Sequence, residues 1–158
     1  MHFSFIKDLF PKYAVDIQKE NGVETVYIRN VQFEDPIVIH YYPDDYYTYL
    51  LRFATQHRDT SSKEELIQYA LAFANAEKAA IDFFENGKNR FGGEIEVSLL
   101  DQITYDKMRN YFGYSYLDLT NLTFKVRAWD ARYCFDGYFE NSDSKSINIV
   151  KKYVKCTP

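Results

Sequence analysis

The dipeptide Asn21-Gly22 constrains this chain more than any other feature. Before it, Tyr13, Val15 and Ile17 alternate with Asp16 and Gln18; after it, Glu24, Val26 and Ile28 alternate with Thr25, Tyr27 and Arg29. Asn and Gly tolerate the positive φ angles of a type I′ turn, whose twist matches the strands on either side. A period of two on both flanks of such a turn predicts an antiparallel hairpin.

The remaining elements are predicted around that hairpin. Residues 3–10 form a short helix or turn stopped by Pro11, and Pro36 opens a third strand over 37–42. Pro43-Asp44-Asp45 is turn chemistry, because Pro fixes φ and Asp can bond its own backbone. Residues 46–57 fit either a strand carrying Tyr49, Leu51, Phe53 and His57 on one face or a helix capped by Asp45. The Tyr and Thr content and the preceding turn select the strand. A long helix is expected over 62–86, with Ser62 and Glu65 at capping-box spacing. Leu66, Ala70, Phe73, Ile81 and Phe84 recur at its helical spacing, and Asn86-Gly87 is read as its left-handed C-terminal cap. Strands follow over 94–100, 122–129, 133–139 and 147–154, with a short helix over 104–112. Strands around one long helix imply α+β: a mostly antiparallel sheet packed on one long central helix, with one or two short helices. Residues 1–158 are read as a single domain.

Composition narrows the function classes. The chain has 158 residues, 46% hydrophobic and 27% charged, which describes a folded globular protein and not a disordered one. The unusual quantity is aromatic content: 18%, with 15 Tyr and 13 Phe. Each Tyr hydroxyl needs a partner or water, so they cannot all be buried in a core, and some must line a surface or pocket. The net charge of −4 and the short basic groupings (Lys88 with Arg90; Lys151, Lys152 and Lys155) argue against nucleic acid, which is bound through Lys and Arg. Cys134 and Cys156 are too few for a disulfide scaffold, and Cys134 reads as a small buried thiol in mid-strand. The first residues lack the basic and apolar regions of a signal peptide, and no stretch of about 18 apolar residues offers a transmembrane helix. The expected location is cytoplasmic.

Four segments carry candidate chemistry. Glu77 falls inside the apolar stripe of the expected long helix, where desolvation would raise its pKa and suit it to acid–base work or to holding a cation. The competing reading is a Glu paired by an Arg or Tyr of the sheet, or a helix end emerging into solvent. His57 shares a strand face with Phe53 and Tyr49 and would be the imidazole partner of Glu77; the simpler reading, which is preferred, is a strand-end His near solvent. His2 and His40 have no metal-ligand spacing, and no metal or cofactor is expected. Residues 87–93 hold glycines with Lys88 and Arg90, but in the wrong order for a phosphate loop; the segment reads as a helix-to-strand connection in which Gly92-Gly93 permits close backbone approach.

The fourth segment is 41–47, where Tyr42, Asp44, Asp45, Tyr46 and Tyr47 concentrate aromatic area and negative charge. Tyr offers large contact area at low entropy cost, and flanking Asp favours a basic partner. Tyr111, Tyr114 and Tyr116 form a second tyrosine group. The expectation is a non-enzymatic interaction protein, of the inhibitor, antitoxin or immunity type, that contacts a basic protein; self-association is left open. The alternative is a small-molecule or catalytic pocket between the long helix and the sheet, using Glu77 and His57.

Overall fold

The computed structural model describes residues 2–112, 118–141 and 147–155. The chain divides into two compact units, one built from residues 2–75 and the other from Ala76–Lys155.

The first unit is a five-stranded antiparallel meander with one helix on it. A short helix α1 (Ile6–Leu9) precedes β1 (Ala14–Glu20), β2 (Val23–Arg29), β3 (Ile37–Tyr41), β4 (Tyr49–Phe53) and β5 (Gln56–Thr60). Strand order equals sequence order. Asn21 and Gly22 make the β1–β2 turn at φ 49° and 85°, as the type I′ reading requires. The alternation is satisfied on one face: Val26, Ile28, Ile37, Ile39, Leu51 and Phe53 are all buried. Helix α2 (Lys63–Ala74) covers that face with Leu66, Ala70, Phe73 and Ala74, the i, i+4, i+7, i+8 stripe of an amphipathic helix. The Phe53 and Phe73 rings meet at 4.7 Å between centroids. Each such buried side chain contributes about 1.5–3 kcal/mol of hydrophobic stabilisation.

The second unit is a five-stranded antiparallel sheet ordered β10-β9-β8-β6-β7. Its elements are β6 (Lys78–Glu85), β7 (Lys88–Glu96), α3 (Val97–Leu100), α4 (Tyr105–Tyr111), β8 (Thr123–Arg127), β9 (Phe135–Asn141) and β10 (Ile147–Tyr153). One face carries Ile81, Phe83, Ile95, Phe124, Val126 and Phe135 and packs with Val97, Leu100, Tyr105 and Met108 of the two short helices. Two glycines make that packing possible. A Cβ on Gly93 would stand 2.8 Å from the Phe112 ring, and one on Gly137 would stand 2.2 Å from the Phe124 ring. The Gly93 contact supplies the close approach expected of the Gly92-Gly93 pair.

The structure corrects the expected single long central helix. Helix α2 ends at Ala74, and Ala76 turns the chain at φ 54°. The second half of the expected helix is the strand β6. Strand β6 lies between β7 and β8 with Ala79–Phe83 buried on both faces, so, Asp82 apart, it is apolar and lacks a clear alternation. Ile81 and Phe84 fit the helical spacing of α2 by coincidence. Asn86-Gly87 is not a helix cap but a second hairpin turn, at φ 50° and 78°, and residues 88–93 belong to β7. Residues 97–100, expected as strand, form α3. The expected single strand over 46–57 is also corrected: residues 46–48 belong to the loop before β4, and a turn at Ala54-Thr55 separates β4 from β5.

Candidate functional site

The β1–β2 turn and the β3–β4 loop lie at the same end of the meander, because alternate connections of an antiparallel sheet share an edge. There the loop 42–48 is closed by two backbone bonds: Tyr42 N–H donates to Thr48 O at 2.9 Å and Asp45 N–H to Tyr42 O at 3.3 Å. Asp45 Oδ1 accepts from Tyr46 N–H at 3.0 Å. Tyr46 and Tyr47 stand out from the loop, 84% and 51% exposed, with their rings edge to face at 4.9 Å. Among the described residues no hydrogen bond or ion pair engages the Asp44 side chain. A cavity of about 230 Å³ opens between residues 21–23 and 42–45.

Both faces of the sheet brace the base of this loop. On the face opposite α2 the Tyr42 ring lies 5.9 Å from that of His40, and His40 Nδ1 is bonded to Thr25 Oγ1 at 3.0 Å. Burial, with the Arg52 charge adding to it, holds His40 below the usual histidine pKa. On the helix side, His2 stacks flat on Tyr41 at 4.0 Å, and its Nε2 is bonded to Tyr49 Oη at 2.8 Å. The Tyr49 hydroxyl is pushed above its ordinary pKa, chiefly by burial and further by Tyr41 and Glu64. Glu24, 3% exposed, accepts from the backbone N–H groups of His2 at 3.0 Å and Phe3 at 2.6 Å. A buried carboxylate needs such donors to offset its lost hydration. The sequence reading did not single out Glu24, although it falls in the same period-two set as Val26 and Ile28.

The other candidates are placed differently. Glu77 is exposed and lies beyond the end of α2, so the desolvation that motivated it is absent. Its backbone carbonyl accepts from Val97 N–H at 2.9 Å, which is a structural role. His57 is exposed on the β5 edge strand, in register with Arg52. The neighbouring Arg58 is committed to α2: Nε and Nη2 bond Glu65 Oε1, Nη1 bonds Tyr69 Oη at 2.7 Å, and the guanidinium lies 4.2 Å over the Tyr69 ring. Tyr111 is 42% exposed; Tyr114 and Tyr116 lie outside the described residues. Cys134 is buried as expected, but its sulfur is in a disulfide and is not a free thiol; the other cysteine of the sequence, Cys156, lies outside the described residues.

No family model, curated protein or solved structure matches this chain. The functional reading therefore stands on the geometry. Among the described residues no three His, Cys, Asp or Glu side chains converge on a position for a metal, and no helix is long and apolar enough to cross a membrane. The loop 42–48 combines protruding aromatic area, an unengaged carboxylate and a small cavity on a hydrogen-bonded base. Such an arrangement can hold an apolar and cationic surface by contact; it presents no nucleophile with an activating base.

Proposed function

We propose that this protein is a non-enzymatic interaction module that docks a basic protein partner through the loop 42–48, acting as an inhibitor, antitoxin or immunity-type protein. The observation that carries this reading is the exposure of Tyr46 and Tyr47 side by side, next to the unengaged Asp44. Two adjacent aromatics in water leave apolar area uncovered, and tyrosines in such positions are favoured anchors of binding surfaces. The braced loop reduces the ordering cost of binding. The net charge of −4 favours encounter with a basic surface.

Affinity capture from a lysate of the source cells tests it, with an Asp44/Asp45/Tyr46 triple-alanine variant in parallel. A protein retained by the wild type and lost by the variant is the expected result; equal retention by both overturns the assignment of this face. The expected cytoplasmic location is tested at Cys134. Disulfides persist in oxidising compartments and are rare in the cytosol, so thiol labelling before lysis that modifies Cys134 supports the cytoplasm, and a blocked sulfur overturns it.

A further inference from the structure

We propose that the cavity between residues 21–23 and 42–45 is the seat of one arginine side chain of the protein partner, with Asp44 as its counter-ion and the Tyr42 ring as the flat surface it stacks on. This rests on the docking reading above and names the group recognised. Size is the first argument. Small-molecule sites span roughly 300–1,000 Å³, and this cavity holds about 230 Å³, so it suits a single side chain better than a whole cofactor or metabolite.

The walls give the second argument. Among the described residues no Lys or Arg lines the cavity, while Tyr42, Asp44 and Asp45 do. One Asp45 oxygen is occupied by the Tyr46 N–H, whereas the Asp44 carboxylate has both oxygens available. A carboxylate with two available oxygens matches the parallel donors of a guanidinium. The neighbouring aromatic face also favours the guanidinium, which stacks as a plane and is more weakly hydrated than an ammonium ion. The same chemistry occurs within this chain, where Arg58 stacks over Tyr69 while donating to Glu65. Finally, both walls are set by the backbone. The Asn21-Gly22 turn fixes one wall, and the Tyr42–Thr48 backbone bond fixes the other.

The test is a solution NMR titration of the full chain with Nα-acetyl-arginine methylamide and, separately, with its lysine counterpart. Saturable amide shifts confined to residues 21–23 and 42–45 are expected for arginine in the millimolar range. Binding should be about two- to fivefold weaker for lysine and for Asp44→Asn, the scale of an exposed ion pair. Tyr46→Ala/Tyr47→Ala should leave the arginine shifts unchanged. Absence of saturable shifts, equal binding of lysine, or unaltered binding by Asp44→Asn overturns the assignment. Unchanged amide shifts elsewhere establish that each variant is folded. The docking reading fails separately: partner capture that survives Tyr46→Ala/Tyr47→Ala overturns the docking face, whatever the arginine titration gives.

Discussion

Gly137 carries a constraint that no local rule would assign to it. Its backbone is ordinary extended strand opposite Phe124, and the demand for glycine comes from the ring lying on it. Gly137→Ala must displace a fully buried Phe124, and overpacking of that kind costs about 1–3 kcal/mol; urea denaturation is expected to show the loss as a lower midpoint with unchanged slope. His40 carries a different constraint. Its pKa is lowered in the folded chain by burial and by Arg52, so the unfolded chain binds the proton first as pH falls through about 6.5. Stability that is complete above that value therefore declines below it. A denaturation series from pH 7 to pH 5 should show the decline, and His40→Gln should remove the part due to this side chain. Glu24 shows what was legible at this scale and overlooked. A carboxylate in an apolar period-two set is the signal that singled out Glu77 at helical spacing, and it was the strand that held the buried acid. The tyrosines of the loop 42–48 were legible because nothing in turn chemistry required them; the cavity beside them was not, since it depends on two turns meeting.

At the scale of elements, the same dipeptide received two readings. Asn21-Gly22 and Asn86-Gly87 adopt nearly the same pair of positive φ angles and both close hairpins. The first has visible alternation on both flanks. The second follows β6, which is buried on both faces and, between Lys78 and Glu85, carries only Asp82 as a polar residue, too little alternation to mark it as a strand. A helix that stops at Ala74 and a strand that starts at Lys78 therefore merged into one apolar pattern. The start of α2 was read correctly in part. Ser62 Oγ accepts from Glu65 N–H at 3.2 Å, one half of the capping box. The reciprocal half is replaced: the Ser62 N–H donates to Thr60 Oγ1 at 3.0 Å, and the Glu65 carboxylate is taken by Thr60 and Arg58. Ser62→Ala removes the cap and should cost about 1 kcal/mol, measured by thermal or urea unfolding; Ser62→Asp should retain most of the stability, because Asp caps equally well.

At the scale of the whole molecule, the sequence showed an antiparallel α+β chain but not its division into two sheets, because the boundary falls inside the segment misread as helix. The two strand orders have a consequence in time. Every neighbour pair in the first sheet is also adjacent along the chain, so each pairing closes only a short loop. The second sheet must bring β6 to β8 across β7, α3 and α4, and longer closures slow the formation of contacts. Pulsed hydrogen exchange during refolding should find the amides of β2, β3 and β4 protected before those of β8. Protection of β8 first, or of both together, would show that closure length does not set the order. The unit that bears the tyrosine loop would then be assembled early, and a nascent chain would expose Tyr46 and Tyr47 while its second half is still being sorted.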